Sequence, residues 1–315
     1  MVSNAMLASQ LDTSDEWITT RTGISQRHVV DPGTSTSDLA VEAGRRAIDN
    51  ADVETIDYVV LATTTPDRIC PATAPEVASR LGLGHVPAFD ISAVCSGFLY
   101  GVQMARALIS GNLARAVMVI GAESFSTLLD PCDRTTRPIF GDGAGAVIFR
   151  AGRSDECGAL LAVNLHSDGA LADLIAVDGG GARARSAGRH DPAYIRMRGR
   201  STFIQAIKHM EEVTLRTLDE VGWKVDEVDH LVGHQANQRI LLSLAKHLGL
   251  PEEAAVINIR EVGNTAAASI PLALDYGVRT GRIARGHKIV MPAFGAGATW
   301  GAAVLTWPDL KRAEA

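Results

Sequence analysis

The chain has 315 residues, of which 46% are hydrophobic and 21% charged, and its formal net charge at pH 7 is −6. This length and hydrophobic content suffice for a large buried core, in one big domain or in two closely packed halves. The acidic balance argues against non-specific nucleic-acid binding, and the longest apolar runs are strand-length, too short to span a bilayer. We therefore expect neither a nucleic-acid partner nor a membrane anchor.

Apolar periodicity predicts helices and strands in alternation along the chain. The strands are continuous apolar runs, which is typical of sheets covered by helices on both faces. In chain order, the sequence predicts helix 37–50, strand Tyr58–Ala62, helices 73–81 and 97–109, strand 116–121, helices 201–221, 238–248 and 266–279, and strand 289–291. Residues 179–199, rich in glycine and arginine, are expected to form a loop.

Cys95 lies between a strand-like run at 89–91 and the helix predicted at 97–109. At such a junction the sulfur is close to unpaired backbone N–H groups and to the positive end of the helix dipole. Both effects favour the thiolate, the reactive form of the side chain. The alternative is an inert buried cysteine, because cysteine is among the most buried residue types.

Two further polar residues lie at junctions of the same kind. His234 follows the apolar run Leu-Val-Gly at 231–233, and Asn264 precedes the alanine-rich helix predicted at 266–279. Three polar side chains at three strand-to-helix junctions are what a catalytic site in an α/β fold would use.

The chain repeats itself at an offset of about 170 residues. Ala-Ser-Arg-Leu-Gly-Leu at 78–83 matches Ala-Lys-His-Leu-Gly-Leu at 245–250. The segments 53–60 and 225–232, each a short acidic loop followed by an apolar strand, also match. Asn264, 169 positions after Cys95, is expected at the matching junction of the second copy. Two long copies do not make a solenoid. They predict an α/β fold of two pseudo-duplicated halves, residues 1–153 with the cysteine and 154–315 with the histidine and asparagine.

The four cysteines do not form a disulfide framework in a chain of this length, and no Cys/His pair has the spacing of a zinc site. They are typical of reduced thiols in a cytoplasmic protein. The N-terminus has no basic region followed by an apolar stretch, so no secretion signal is expected. The sequence contains no P-loop and no Gly-x-Gly-x-x-Gly after a strand, so no nucleotide cofactor is predicted from motifs.

At this point the chain resembles a known family, the β-ketoacyl-acyl-carrier-protein synthases III of the thiolase-like superfamily. The resemblance runs from about residue 2 to residue 307 and depends on seven motifs. These are Asp-Thr-Ser-Asp-Glu-Trp-Ile at 12–18, Arg-Thr-Gly-Ile at 21–24, Ala-Val-Cys-Ser-Gly at 93–97, Phe-Gly-Asp-Gly-Ala-Gly at 140–145, Gly-His-Gln-Ala-Asn at 233–237, Gly-Asn-Thr at 263–265 and Phe-Gly-Ala-Gly-Ala-Thr-Trp-Gly at 294–301. It implies a layered α-β-α-β-α core.

The resemblance implies a decarboxylative condensation. Cys95 takes an acyl group from an acyl-CoA primer, and malonyl-acyl carrier protein then loses CO2 and attacks the acyl-cysteine. Neutral His234 and Asn264 donate hydrogen bonds to the malonyl thioester oxygen, where negative charge develops. The backbone N–H groups of Cys95 and Ala296 form an oxyanion hole for the acyl-cysteine. The thioesters carry the activation, so neither cofactor nor metal is expected.

Four positions match residues that contact the substrates in the family. Trp17, Arg21 and Arg134 match contacts of the CoA nucleotide, and Arg239 matches a basic residue that docks the acidic carrier protein. Each has a structural alternative: a tryptophan after such a turn is often a core anchor, and a helix arginine is often only solvated.

The chain departs from the family pattern in two places. Relatives usually begin with a further strand of the first sheet before residue 2, and we expect that the sequence starts late. In the family, the loop around Cys70 caps the acyl pocket of the partner in a homodimer, and a large aromatic there restricts the pocket to acetyl. A cysteine is small, which predicts a larger primer, for fatty acid or aromatic polyketide synthesis. The alternative is a loop cysteine without a gating role.

Two other functions are possible on the same fold. A starter-unit acyltransferase moves an acyl group without condensation, and a non-catalytic dimer partner lacks the nucleophile. The presence of Cys95, His234 and Asn264 together favours condensation over both.

Overall fold

Two four-stranded sheets form the framework of the fold in this computed structural model, which describes residues 1–310. The helices are α1 (Asn4–Ala8), α2 (Asp15–Thr22), α3 (Thr36–Asn50), α4 (Ala74–Arg80), α5 (Gly97–Ser110), α6 (Ala182–Ser186), α7 (Gly199–Glu220), α8 (Gln238–Leu248), α9 (Ile259–Val262) and α10 (Ser269–Arg279). The strands are β1 (Val2–Ser3), β2 (Gln26–Arg27), β3 (Tyr58–Ala62), β4 (Ala88–Ile91), β5 (Ala116–Glu123), β6 (Gly143–Arg150), β7 (Leu160–Ser167), β8 (Ile175–Val177), β9 (Ile195–Met197), β10 (His230–Leu231), β11 (Lys288–Gly295) and β12 (Thr299–Thr306).

The two sheets share three corresponding strands, β3-β5-β6 in the first and β10-β11-β12 in the second, and each has one further strand at the opposite edge. The first is β4-β3-β5-β6, with the first three strands parallel and β6 antiparallel. The second is β10-β11-β12-β7, with β10 and β11 parallel and the other two pairs antiparallel. Within residues 1–310, β6 pairs with β5 alone, whereas its counterpart β12 has a strand on each side.

The core is arranged in five layers. Helices α5 and α10 lie between the sheets, and their apolar residues form one cluster with residues of both sheets. The outer face of the first sheet is covered by α3 and α4, and that of the second by α7 and α8. Each sheet therefore has helices on both faces, which explains why the central strands are apolar throughout. The predicted α/β class with two duplicated halves is confirmed.

Most predicted elements occur within one or two residues of their expected limits. Helix α8 and strand β3 have the predicted limits, whereas strand β11 is longer than the predicted 289–291. The expectation of an irregular loop at 179–199 is wrong in part, because α6 and β9 lie within it and β9 pairs with β8. The division at residues 153 and 154 stays a prediction, and the final five residues of the second half lie outside the described residues.

The two halves align at an offset different from the expected one. Strand β11 follows β5 by 172 positions at both ends, and α10 begins 172 positions after α5. At this offset Ala267, not Asn264, is the counterpart of Cys95. The equivalence expected at 169 positions is therefore wrong, because short insertions between the halves change the offset locally. Along residues 1–310, none of the helices combines the length and apolar character that a membrane span requires.

Candidate active site

The turn that carries Cys95 joins β4 to α5. A 3-10 helix, Val94–Ser96, leads directly into α5, and the Ser96 N–H donates to the Ala93 carbonyl over 3.1 Å. Val94 has φ 47°, a left-handed conformation that β-branched residues rarely adopt. The turn places Cys95 at the start of the helix with only 6% of its surface exposed.

The thiol of Cys95 is not poised as a thiolate. Burial raises its pKa to about 12, and the negative charge of Glu123 acts in the same direction. A hydrogen bond from the backbone N–H of Cys95 itself lowers the pKa, but by less than burial and Glu123 raise it. The expectation that the junction favours the thiolate is therefore wrong, because desolvation outweighs the helix-start effects.

Glu123 is a buried carboxyl group at the end of β5, and sequence reasoning missed it. It accepts hydrogen bonds from the Thr64 N–H at 3.1 Å and from Thr65 Oγ1 at 2.8 Å. Burial raises its pKa to about 7. The available signal was an acidic residue at the end of an otherwise apolar strand, where a charge needs a specific partner.

Asn264 is held by its backbone and its amide oxygen, and within residues 1–310 its amide nitrogen has no hydrogen-bond partner. Its backbone N–H donates to the Ile139 carbonyl at 2.9 Å, and its carbonyl accepts from the Gly141 N–H at 3.0 Å. The Ala266 N–H donates to Asn264 Oδ1 over 2.9 Å. Because the oxygen is the acceptor there, Nδ2 is the end of the amide left for a substrate.

His234 follows β10 and is 2% exposed. Its backbone N–H donates to the Pro292 carbonyl at 2.9 Å, and ring Nδ1 lies 2.6 Å from the hydroxyl of Ser269. Burial lowers the pKa of the imidazole to about 3, so the ring is neutral at pH 7. Ser269 is a second residue that sequence reasoning missed, and no pattern in the chain marked it.

The segment 264–269 brings the three junctions together. It begins at Asn264, and it ends at Ser269, which contacts His234. In between, Ala266 packs in one apolar cluster with Cys95, Phe125 and Phe140. The segment therefore carries the amide donor and contacts both the buried imidazole and the residues packed around Cys95.

Gly295 permits the close approach of a second backbone segment to Cys95. A Cβ atom at residue 295 would lie 2.9 Å from the Cys95 nitrogen, so any side chain there would collide with the turn. Ala296 follows directly and packs against the same apolar cluster. The backbone at Gly295 is thereby brought next to Cys95, and the role of the following Ala296 N–H as second donor of an oxyanion hole stays a prediction.

The predicted nucleotide contacts lie together on the surface. The guanidinium groups of Arg21 and Arg134 are 6.0 and 5.4 Å from the centre of the Trp17 ring, and Arg134 also pairs with Asp12 at 2.8 Å. Ile139 packs both against the apolar cluster next to Trp17 and against that of Cys95. A continuous apolar path therefore links this surface to the buried sulfur.

Arg239 and Cys70 are exposed and are not part of the cluster formed by Trp17, Arg21 and Arg134. Arg239, in the first turn of α8, is exposed and its guanidinium stands 5.7 Å from the centre of the Phe203 ring. Cys70 is exposed at the tip of the loop between β3 and α4, and nothing within residues 1–310 brings it to Cys95. The same range holds no cluster of three or more His, Cys, Asp or Glu side chains suited to a metal ion.

The duplicated five-layer fold, with a buried cysteine at the start of a central helix, is that of a condensing acyltransferase with a thiolase-like fold. The sequence profile described as "3-Oxoacyl-[acyl-carrier-protein (ACP)] synthase III" matches residues 89–169, and the profile of its C terminal matches residues 218–307. Beta-ketoacyl-acyl-carrier-protein synthase III 3 of Streptomyces coelicolor is 55% identical over 312 residues, which cover 98% of this chain and 93% of the relative. The chain belongs to the β-ketoacyl-acyl-carrier-protein synthase III family.

Solved structures agree with this assignment. The crystal structure of 3-oxoacyl-(acyl carrier protein) synthase III from Pseudomonas aeruginosa PAO1 matches with a TM-score of 0.93 and 49% identity, covering 99% of this chain and 95% of that chain. The priming β-ketosynthase from the R1128 polyketide biosynthetic pathway matches with a TM-score of 0.91 and 31% identity, covering 98% and 92%. The thiolase-like fold is thereby confirmed.

Proposed function

We propose that the protein condenses an acyl-CoA primer with malonyl-acyl carrier protein, giving a 3-oxoacyl-carrier protein, CoA and CO2. The observation that carries the proposal is the segment 264–269, which orients the Asn264 amide and contacts His234 while packing beside Cys95. Identity of 55% to a β-ketoacyl-acyl-carrier-protein synthase III, against 31% to the polyketide priming enzyme, favours initiation of fatty acid synthesis.

In the first step, Cys95 Sγ attacks the thioester carbonyl of the primer and the bond from that carbon to the CoA sulfur breaks. The thiol proton leaves Cys95 and ends on the CoA thiol, so one thioester replaces another. The backbone N–H groups of Cys95 and Ala296 would hold the oxyanion that forms in between. Because the thiol is neutral when free, loss of its proton accompanies the attack rather than preceding it.

In the second step, the bond between the malonyl C2 and its carboxylate breaks and CO2 leaves. The electron pair forms an enolate, whose oxygen accepts hydrogen bonds from His234 Nε2–H and Asn264 Nδ2–H. C2 then attacks the acyl carbonyl, the bond to Cys95 Sγ breaks, and the sulfur takes up a proton from water. A neutral imidazole suits this role, since a protonated one would supply an acidic proton that quenches the carbanion.

The surface residues are proposed to bind the two carriers. Trp17 would stack on the CoA adenine between Arg21 and Arg134, whose positive charges suit phosphate groups. Arg239 would dock the acidic carrier protein, and its position near the start of α8 is close to the nucleotide surface because the Asn237 side chain donates to the Arg21 carbonyl. No cofactor is part of the proposal.

A homodimer is proposed to complete the acyl pocket. The loop from Thr63 to Thr73 is anchored at both ends, by Glu123 at Thr64 and by Asp90 at the Thr73 N–H. Its tip is exposed, and Ile69 has 76% of its surface accessible. A large exposed apolar residue on an anchored loop beside the edge strand β4 fits a subunit contact. Such a contact would place Cys70 over the partner's pocket.

Intact-protein mass spectrometry tests the two steps separately. The protein is mixed with acetyl-, propionyl-, isobutyryl- or hexanoyl-CoA, with Cys95→Ala as control, and then with malonyl-acyl carrier protein. We expect acylation that is absent in C95A, and condensation that removes the acyl group from the enzyme and yields the 3-oxoacyl-carrier protein. His234→Ala and Asn264→Ala should retain acylation and lose condensation. A separate arm supplies the carrier protein with a free phosphopantetheine thiol. Transfer of the acyl group from Cys95 to that thiol, with no condensation on malonyl-acyl carrier protein, would identify a starter-unit acyltransferase instead.

A further inference from the structure

His234 and Ser269 are a buried pair joined by one hydrogen bond, which either of the two side chains could donate. His234 Nδ1 and Ser269 Oγ are 2.6 Å apart, and the two residues are 2% and 0% exposed. In one arrangement the serine hydroxyl donates to Nδ1 and the ring proton is on Nε2. In the other, Nδ1–H donates to the serine oxygen and the hydroxyl proton needs another acceptor.

The surroundings of Ser269 select the first arrangement. Within residues 1–310 the hydrogen bond to His234 is the one its hydroxyl makes. Other buried hydroxyls on helices, such as those of Thr22 and Thr217, donate to a backbone carbonyl four residues back, but Ser269 does not. With the ring proton on Nδ1, the serine O–H would be a buried donor without an acceptor, which is costly.

The geometry points to Ser269 as a positioning residue, which donates its hydroxyl proton to Nδ1 and so keeps His234 in the Nε2–H tautomer. The inference rests on the proposed function for its consequence: only this tautomer can donate to the enolate oxygen beside Asn264 Nδ2–H. In the other tautomer a lone pair on Nε2 would face the developing negative charge. The segment 264–269 would then orient both donors. Ala266 N–H fixes which end of the Asn264 amide faces the substrate, and Ser269 fixes which nitrogen of the His234 ring carries the proton.

Nitrogen NMR of the protein labelled with 15N-histidine tests the tautomer directly. Comparison with His234→Gln identifies the two His234 signals among those of nine histidines. We expect a pyrrole-like Nε2 and a pyridine-like Nδ1 in the wild type. A protonated Nδ1 in the wild type overturns the inference, and this measurement needs no Ser269 variant to fold.

The variants Ser269→Ala and Ser269→Thr test the consequence. S269A should show a mixed or reversed tautomer, unchanged acylation by acyl-CoA, and condensation slower by about tenfold, less than the loss of a whole oxyanion donor. S269T keeps the hydroxyl and should recover part of the loss. Thr217→Val, which removes a buried hydroxyl on the outer-layer helix α7, is the matched control and should leave both steps unchanged. If S269A keeps the wild-type tautomer and the wild-type condensation rate, the inference is wrong.

Different results would contradict the role of Ser269 and the proposed condensation. A wild-type protein that condenses substrates while His234 carries its proton on Nδ1 contradicts the role of Ser269 alone. A wild-type protein that has the Nε2–H tautomer but does not condense contradicts the proposed function and leaves the tautomer assignment standing.

Discussion

Val94 and Ala266 share a left-handed backbone conformation, with φ 47° and 43°, at positions 172 residues apart. Each residue opens a three-residue 3-10 helix that leads into a central helix, α5 in the first half and α10 in the second. Left-handed backbone is uncommon outside glycine and costs energy, so its retention in both halves marks the turn as a required part of the duplicated unit. In one half the turn presents Cys95, and in the other it holds the Asn264 amide through Ala266 N–H.

Replacing Ala266 with glycine should reveal the cost of this turn. Both Ala266→Gly and Ala267→Gly remove a buried methyl group and add flexibility to the unfolded chain, which together destabilise by about 1–2 kcal/mol. Only at residue 266 does glycine also remove left-handed strain, of about 1 kcal/mol. The free energy of unfolding of A266G, measured in urea, should therefore exceed that of A267G by about 1 kcal/mol.

The neighbouring substitution serves as the matched control, because both alanines lie in the same 3-10 helix and are almost fully buried. Equal stability of the two variants would mean that the turn stores no strain.

Alkylation of Cys95 should report its raised pKa. Only the thiolate reacts with iodoacetamide, and Glu123 is ionised above about pH 8, so with a pKa of about 12 the rate should rise about tenfold per pH unit from pH 8 to pH 10 without levelling off. Because Glu123 contributes to the raised pKa, Glu123→Gln should speed alkylation at a given pH, by about tenfold for each unit of pKa lost. The modified Cys95 peptide is quantified by mass spectrometry.

Two observations would count against this account of Cys95. One is a plateau below pH 9, which indicates an ordinary thiol. The other is an equal acceleration by Glu42→Gln, the control for removal of an exposed carboxylate on α3.

Acid should destabilise the protein through His234. Its folded pKa of about 3 lies below the unfolded value of 6.5, so the stability from the neutral buried ring is complete above pH 6.5 and is lost as the pH falls towards 3. Between pH 7.5 and pH 4.5 the loss is on the order of 3 kcal/mol. His234→Gln cannot be protonated, so its stability relative to the wild type should improve by this amount over the same range.

Urea unfolding curves at the two pH values measure the difference, and any contribution from Glu123 is common to both proteins. His85→Gln is the matched control, because the ring of His85 is exposed to water in both states. If the wild type and H234Q lose stability in parallel, the imidazole is not buried as the structure has it.

Local patterns predicted the elements and the positions of the junctions, but not how groups 35 or more residues apart meet. Helix α8 and strand β3 follow from apolar periodicity, which is a property of adjacent residues. The contact of His234 with Ser269 depends on how β10 and α10 pack, and no spacing in the chain encodes it.

The electrostatics of the site were the least predictable part. The junction at Cys95 was recognisable, and its dipole and N–H groups favour a thiolate. The depth of burial and the charge of Glu123 are properties of the folded core, and they reverse the sign of the pKa shift. A sequence pattern that identifies a nucleophile therefore does not determine its protonation.

Replacing Cys70 with phenylalanine should narrow the choice of primer. The anchored loop presents residue 70 at an exposed tip, and in the proposed dimer that tip covers the partner's acyl pocket. An aromatic ring there would fill space that a cysteine leaves open. We therefore expect the wild type to be acylated by propionyl- or isobutyryl-CoA in preference to acetyl-CoA. Cys70→Phe should still accept acetyl, and its acylation by the larger groups should fall by about tenfold or more, as expected when an added group overfills a closed pocket.

Intact-protein mass spectrometry with the CoA panel measures both profiles, and Cys157→Phe, at an exposed position outside the loop, is the matched control. Mixing wild type with the double variant C70F/C95A distinguishes a gate acting across the dimer from one acting within a subunit, since only Cys95 of the wild-type chain can then be acylated. If the wild-type chain loses acylation by the larger primers only when it is paired with C70F/C95A, the loop of one subunit acts on the pocket of the other. A strong acetyl preference in the wild type, or an unchanged profile in C70F, would show that residue 70 does not set the primer.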